Sequence, residues 1–389
     1  MSKIGILIAH GTDTMSWTHA FLRYAIKNNT SNIVITGSQI PMPTLGDFSD
    51  AYINIGNSLR FLTQIKEPSI ITVFNYGADA FSDSLHKINR WDNVAFTGDV
   101  IAKMEWDEVK YHEKSMKIDK SVKLDKLFLI TTGGTIESTF NDEGVLVPSQ
   151  NHLLGYIATK FSNFFNQISQ KPVFSIDSSD LTFERMFKIA DKVIECLNEK
   201  QSEKKSFADK NFSPNVKILY TDPLKKISNY ECEIADADAV VIAGYGGGNI
   251  TIDPQTSQNI IPLIKSLLEK DIPVVLTSQV PLGPADFIYK NSWEAIKSGA
   301  ISGVDLSIPE IQIRLSYLVG HKNDILKAAK KSDKPYMFVL EWLFMSGMKF
   351  RTQKSRNMYQ KHKMMNVHED DMLVNLKFEE SIEKFAEIH

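Results

Sequence analysis

One stretch of the sequence reads Leu129-Ile130-Thr131-Thr132-Gly133-Gly134-Thr135-Ile136. An apolar run of strand length leads here into a double-glycine turn that presents a hydroxyl group. Because glycine lets the backbone bend sharply and approach a ligand closely, Thr135 can project into a cleft beside backbone N–H groups. Taken alone, a Gly-Gly-Thr triplet is more often only a turn, so its meaning depends on the rest of the chain.

Similar short apolar runs recur along the chain and alternate with stretches of helical period. This alternation is typical of parallel strands that crossover helices bury on both faces, as in a doubly wound α/β sheet. The predicted strands are residues 3–9, 32–36, 69–74, 127–132, 173–176, 216–220, 239–243 and 272–276. A helix is predicted after Asp180, with Thr182 and Glu184 suited to its first turn. Because ligands of open α/β sheets bind beyond the carboxyl ends of the strands, we look for chemistry in the residues that follow each run.

The composition restricts the class of protein. The chain has 389 residues, 43% of them hydrophobic, which suggests two or three domains. Lys and Arg total 44 against 47 Asp and Glu, a net charge of −3, so we do not expect a nucleic-acid partner. No apolar run approaches the ~20 residues of a membrane-spanning helix, and no signal peptide is evident, so we expect a cytoplasmic protein without a membrane partner. The 2 cysteines and 9 scattered histidines match no metal motif, so no metal site is expected.

Two further segments carry polar chemistry at strand ends. The first is Ile8-Ala9-His10-Gly11-Thr12-Asp13-Thr14-Met15, and the second is Ser82-Asp83-Ser84-Leu85-His86-Lys87-Ile88-Asn89. A hydroxyl beside a carboxylate suits a nucleophilic amidase, and a desolvated lysine can accept a hydroxyl proton. The alternatives are an ordinary helix cap at Thr12 and Asp13, and a solvated surface lysine at Lys87.

These segments together resemble the signature blocks of the bacterial-type L-asparaginase family. The matching blocks are residues 131–136, 176–179, 10–15, 36–38 with 49–50, Lys87, 244–249 and 277–279. The resemblance implies a large doubly wound parallel-sheet domain plus a smaller α/β carboxyl-terminal domain. In the family, the Thr-Gly-Gly-Thr strand precedes the His-Gly-Thr-Asp block, whereas here it follows. We therefore expect a circular permutation confined to the large domain.

The expected domain organisation follows from this order. Residues 1–200 would form the permuted large domain, from blocks 1–106 and 126–198, and residues 214–331 the small domain. The charged stretches 107–126 and 198–214 are predicted to be solvated linkers. Residues 332–389 would be an additional tail of unassigned role, whose last part has the apolar spacing of an amphipathic helix.

The resemblance also implies roles for individual residues. Thr135 would be the nucleophile, assisted by a cluster of Thr12, Asp13 and Lys87. The substrate would be held by two serines, by the backbone of two turn residues and by an asparagine from a neighbouring subunit. These are Ser178, Ser179, Gly37, Ser38 and Asn249. The expected activity is hydrolysis of asparagine to aspartate and ammonia through a threonine ester, in a homodimer or homotetramer. This chemistry needs no cofactor.

Two other functions stay open at this point. One is an asparaginase-like amidotransferase component that releases ammonia from glutamine. The other is a catalytically weak relative that binds an amino acid. The second alternative is favoured by Val145, which lies near the place where family members carry a loop tyrosine and which cannot transfer a proton.

Overall fold

The computed structural model describes residues 3–42, 49–64, 68–74, 79–82, 99–103, 123–147, 152–199, 205–280, 285, 289–304 and 306–345. These residues form two compact units, one that runs to Lys210 and one that begins at Asn211. Within this described part of the chain, no helix is long and apolar enough to cross a membrane.

The first unit is built on a mixed sheet. Its strands and helices are β1 (Ile4–Ala9), α1 (Met15–Ala25), β2 (Ile26–Lys27), β3 (Asn32–Thr36), α2 (Ala51–Gln64), β4 (Ile70–Phe74), β5 (Asp79–Ser82), β6 (Asp99–Lys103), β7 (Leu124–Gly133), β8 (Thr139–Phe140), β9 (Leu146–Val147), α3 (His152–Lys160), β10 (Phe165–Ile176), α4 (Phe183–Asn198) and β11 (Phe207–Ala208). Among the described residues the sheet has seven strands in the order β10-β7-β1-β3-β4-β5-β6. The first five are parallel, as predicted, whereas β5 and β6 continue the sheet in antiparallel pairing.

Both faces of the central strands are buried, which explains why β1 and β3 are largely apolar. On one face, Leu7 of β1 packs in a core with Leu59 of α2 and Leu153 of α3. Ile6 and Ile8 point to the other face and are equally buried. Helix α4 contacts α1 through Phe187 and Phe21, whose ring centroids lie 4.9 Å apart. The predicted helix after Asp180 is confirmed, with Thr182 accepting a hydrogen bond from the Arg185 N–H as its N-cap.

The second unit contains a smaller parallel sheet. Its elements are β12 (Val216–Tyr220), α5 (Ile227–Glu233), β13 (Ala239–Gly244), α6 (Ile261–Leu268), β14 (Val274–Ser278), α7 (Lys290–Lys297), β15 (Ile301–Ser302), α8 (Ile308–Gly320), α9 (Lys322–Ser332) and α10 (Tyr336–Met345). The four strands follow the order β12-β13-β14-β15 in the described residues, and all pairings are parallel. The prediction of an α/β fold with parallel sheets is thus confirmed.

The prediction that residues 198–214 form a solvated linker is only partly right, because Ser206, Asp209 and Ser213 are buried among exposed neighbours. Strand β11 pairs antiparallel with β2, and the Asp209 N–H donates to the Ala25 carbonyl over 2.7 Å. Asn198 receives a hydrogen bond from the Ser206 N–H and donates one to its carbonyl. Backbone pairing therefore buries part of a segment whose charged composition is typical of an exposed one.

The other predicted linker and the predicted tail lie partly outside the described residues. Residues 124–126, assigned to the linker 107–126, belong instead to β7, which begins at Leu124. In the tail, residues 336–345 form α10, and the Arg314 guanidinium of α8 donates to the Phe344 carbonyl over 2.6 Å. The amphipathic helix predicted near the end of the chain lies outside the described residues.

Candidate active site

Four strand ends meet at one edge of the larger sheet. Strands β10, β7, β1 and β3 are adjacent and parallel, so their carboxyl ends lie side by side. Ala9, the last residue of β1, pairs with Thr131 of β7 on one side and with Thr36 of β3 on the other. The turns at this edge are therefore neighbours in space although they are distant in sequence.

These turns carry seven of the predicted site residues. They are Thr12, Asp13, Gly37, Ser38, Thr135, Ser178 and Ser179. Two other predicted residues are not among them. Lys87 lies outside the described residues, and Asn249 belongs to the second unit.

The two threonine-bearing turns touch through glycine backbone. A Cβ added to Gly134 would lie 2.4 Å from the Cα atom of Gly11, closer than real Cβ contacts occur. Gly134 has φ 82° and ψ −177°, a conformation that is essentially restricted to glycine. Its N–H donates to the Ile176 carbonyl over 3.0 Å, which links the turn after β7 to the end of β10. Thr135 follows directly and is half-buried.

Ser178 joins the end of β10 to the turn after β1. Its hydroxyl oxygen accepts a hydrogen bond from the Asp13 N–H over 3.3 Å, and its carbonyl accepts one from the Thr14 hydroxyl over 2.8 Å. Ser178 is buried, whereas the side chains of Asp13 and Ser179 are exposed. The Asp177 carboxylate accepts from both the N–H and the hydroxyl of Ser179, at 2.8 and 2.7 Å. Two serines and the exposed Asp13 carboxylate thus lie beside the threonine turns.

The turn after β3 packs directly on the turn that carries Thr12. A Cβ on Gly37 would lie 2.4 Å from the His10 carbonyl oxygen and 3.5 Å from Cγ2 of Thr12. Only glycine fits at this position. Ser38 is fully buried, and its hydroxyl has no hydrogen-bond partner among the described residues.

His10 is a residue of this site that the sequence analysis did not assign. Its Nδ1 lies 2.6 Å from the Gly11 carbonyl oxygen, and its Nε2 lies 2.8 Å from the Thr18 hydroxyl. Because a carbonyl only accepts, we assign the proton to Nδ1, and Thr18 then donates to Nε2. Burial lowers the pKa of His10 to about 4, so the imidazole is neutral at pH 7. The ring holds the Gly11 carbonyl to helix α1.

Glu137 is a second residue that the sequence pattern did not reveal. It lies two positions after Thr135, is fully buried, and accepts a hydrogen bond from the Leu153 N–H at the start of α3 over 3.3 Å. Its other carboxyl oxygen has no hydrogen-bond partner in the described part of the chain. Burial raises the pKa of Glu137 to about 7. An acidic residue directly after an apolar strand and its turn is the one signal that could have indicated it.

The loop residue Val145 lies in the turn between β8 and β9 and is 53% exposed. The side-chain oxygen of Asn141 accepts hydrogen bonds from the N–H groups of Glu143 and Val145, at 3.0 and 2.9 Å. Hydrogen bonds within the loop therefore stabilise its conformation, and the exposed side chain at this position, Val145, is apolar.

Asn249 lies in the second unit, after the Gly246–Gly248 turn. Its side-chain amide donates to the Gly246 carbonyl over 2.9 Å, which satisfies the glycine turn locally. It also lines an open cavity of about 490 Å³, together with Tyr245, Asp253 and Lys290. In the described residues, no group of three or more His, Cys, Asp or Glu side chains is arranged to hold a metal ion.

Comparison with known proteins assigns the chain to a family. The model of the N-terminal domain of asparaginases matches residues 3–116 and 126–203, and the model of the glutaminase/asparaginase C-terminal domain matches residues 215–330. The chain belongs to the asparaginase family. The sheet edge described above lies within the residues that match the N-terminal domain, and the second unit contains those that match the C-terminal domain.

Several known proteins are similar to this chain. An L-asparaginase of Thermococcus kodakarensis is 22% identical over 327 residues, which cover 84% of this chain and 73% of that protein. One component of the glutamyl-tRNA(Gln) amidotransferase of Pyrococcus furiosus is 21% identical over 336 residues; the chain spans 56% of its length. The solved structure of the thermostable L-asparaginase from Thermococcus kodakarensis matches with a TM-score of 0.50 at 17% identity, covering 88% of this chain and 74% of that one. At 17% identity, the match to this solved structure shows a shared fold.

Proposed function

We propose that this protein is an L-asparaginase that hydrolyses L-asparagine to L-aspartate and ammonia through a threonine acyl-enzyme. The observation that carries the proposal is the contact between Gly11 and Gly134, which holds Thr12 and Thr135 at one edge of the sheet. Membership of the asparaginase family and similarity to an L-asparaginase support the same function.

In the proposed first step, the Thr135 oxygen attacks the carbon of the substrate's side-chain amide. The hydroxyl proton passes to the companion cluster of Thr12, Asp13 and Lys87, of which Lys87 lies outside the described residues. The C–N bond then breaks, the nitrogen takes up a proton and leaves as ammonia, and a threonine ester remains. In the second step, water attacks the ester carbon, which releases aspartate and returns the proton to the Thr135 oxygen.

Other groups of the same edge are proposed to hold the substrate. Ser178 and Ser179 would hold its α-carboxylate, and the exposed Asp13 carboxylate would pair with its ammonium group. The backbone of Gly37 and Ser38 would contact the amide nitrogen that leaves. Backbone N–H groups near Thr12 would stabilise the oxyanion, a contribution of about 3 to 4 kcal/mol in comparable sites. Asn249 is proposed to complete the site of a neighbouring subunit in a homodimer or homotetramer.

A second candidate function is release of ammonia from glutamine as part of a tRNA-dependent amidotransferase. It is favoured by the similarity to a component of such an enzyme, which extends over as much of this chain as the similarity to the L-asparaginase. The exposed Val145 in the loop after Thr135 favours a third candidate, binding of an amino acid with slow turnover.

The test is ammonia release from asparagine and from glutamine by the purified protein and its variants. We expect release from asparagine by the unmodified protein and by Thr159→Ala, whose exposed hydroxyl donates to the Gly155 carbonyl of its own helix. Thr135→Ala should release none. Activity that survives in Thr135→Ala removes Thr135 from its role, and a preference for glutamine supports the amidotransferase function. Binding of asparagine without ammonia release by any of the proteins supports the third candidate.

A further inference from the structure

Asp50, directly before helix α2, holds the turn after β3 through its carboxylate. Both carboxylate oxygens accept from the Gln39 N–H at 3.0 Å, and one of them also accepts from the Ile40 N–H at 3.0 Å. Asp50 is 1% exposed, and in the described part of the chain its partners are neutral N–H donors. A buried carboxylate without a cation is costly unless several hydrogen bonds satisfy it, so this arrangement fixes the turn in one position.

Asn54, one turn later in α2, holds the same turn at its other end. Its side-chain amide donates to the Gly37 carbonyl over 2.9 Å and to the Asp50 carboxylate over 3.0 Å. Its side-chain oxygen is buried and has no partner among the described residues. In the described part of the chain, the Asn54 side chain therefore acts through the two hydrogen bonds that its amide group donates. The two side chains together hydrogen-bond to the backbone between Gly37 and Ile40.

The position of this backbone bears on the chemistry because Gly37 packs against the turn that carries Thr12. The limiting contact is with the His10 carbonyl oxygen, and the His10 N–H donates to the Thr36 carbonyl over 2.8 Å. A displaced Gly37–Ile40 turn would change the surface that faces a bound amide beside Thr12. Errors of about 1 Å in the placement of a reacting group can lower a rate about a hundredfold.

We propose that Asp50 and Asn54 are positioning residues that act through the Gly37–Ile40 backbone to hold the leaving amide of the substrate. This inference rests on the proposed function. Neither side chain touches the substrate: both set the place of the backbone groups that do. The consequence is specific to the leaving group, because an ester has no N–H to donate to that backbone.

The test compares asparagine with the β-methyl ester of aspartate in the variants Asn54→Ala and Asp50→Asn. We expect kcat for asparagine to fall at least about tenfold in either variant, with KM changed less than about threefold, and kcat for the ester to fall less than about threefold. Leu59→Ala is the matched control: it truncates a buried core residue of the same helix that takes no part in the turn. It should lower the melting temperature and leave the ratio of amide to ester turnover unchanged.

An equal loss on amide and ester, or full amide turnover in both variants, would overturn the inference while the proposed function survives in the unmodified protein. Absence of ammonia release by the unmodified protein would overturn both. If Asn54→Ala does not fold, Asp50→Asn decides the outcome, since it conserves size and keeps one acceptor oxygen for the turn.

Discussion

Gly11 and Gly134, separated by more than a hundred residues in sequence, are in backbone contact at the edge of the larger sheet. The space between them does not admit a methyl group, since a Cβ on Gly134 would lie 2.4 Å from the Gly11 Cα atom and 2.6 Å from its nitrogen. Each glycine precedes a threonine of the proposed site. The distance between the two threonine turns is therefore set by backbone and does not depend on flexible side chains.

Gly134→Ala tests this contact. The added methyl group meets Gly11, and the backbone conformation at φ 82° and ψ −177° is unfavourable for alanine. We expect a loss of at least about 2 kcal/mol in the free energy of unfolding and loss of ammonia release. Urea unfolding, followed by circular dichroism, measures the first, and the asparagine assay measures the second.

Gly155→Ala is the control for this variant. Gly155 lies in helix α3, where an added Cβ meets nothing within 4 Å, so alanine should raise stability by about 0.5 to 1 kcal/mol. If Gly134→Ala is as stable and as active as Gly155→Ala, the contact between the two turns does not determine the site.

Glu137→Gln should change how stability depends on pH. The folded-state pKa of Glu137 is about 7, raised from 4.5 by burial, so the folded protein binds this proton more tightly than the unfolded chain. Stability therefore falls as pH rises from 4.5 to 7, by at most about 3 kcal/mol. Glutamine does not titrate, so the stability of the variant should not decrease over this pH range. Urea midpoints at pH 5, 6, 7 and 8 measure it; equal pH profiles for the two proteins would contradict the assignment.

His10→Asn should remove a loss of stability that occurs as the pH falls, whereas Glu137→Gln removes one that occurs as the pH rises. The pKa of His10 falls from 6.5 to about 4 on folding because the ring is buried, so the unfolded chain binds the proton more tightly. Stability is therefore lost as pH falls from 6.5 to 4, by at most about 3 kcal/mol, and this loss should be absent in the variant. Urea midpoints at pH 4, 5, 6 and 7 measure it. A variant that loses as much stability on acidification as the unmodified protein would refute the role of the buried imidazole.

The parts of the fold that follow from local sequence were predictable. Strand β3 begins and ends at the predicted residues because it is buried and largely apolar. Strand β12 lies at the edge of its sheet, but it also has the predicted bounds because Val216, Ile218 and Leu219 are apolar. Strand β10 begins at Phe165, well before the predicted residue 173. The sequence did not reveal its first half because the strand lies at the edge of the described sheet and that half is largely polar. Apolar runs do not mark such a strand.

The position of the site at a set of strand ends was predictable from the sequence, whereas the protonation of its buried groups was not. The turns at Thr12, Gly37, Thr135 and Ser178 follow predicted strands, so their common edge follows from a parallel sheet. The titration of His10 and Glu137 depends on burial by distant segments, which no local pattern reports. The catalytic roles, the domain boundaries, the circular permutation and the oligomeric state stay predictions.

The Glu310–Arg314 pair of the second unit yields a last prediction. The Arg314 guanidinium lies 3.0 Å from the Glu310 carboxylate, both side chains are buried, and the same guanidinium donates to the Phe344 carbonyl of α10. Arg314→Met removes the cation from a buried carboxylate and should cost about 3 to 5 kcal/mol in urea unfolding, whereas the double variant with Glu310→Met should recover most of the loss. Lys327→Met breaks an exposed pair with Asp324 and should cost at most about 1 kcal/mol. Equal losses in Arg314→Met and Lys327→Met would contradict the predicted cost of leaving the buried Glu310 carboxylate without its cation.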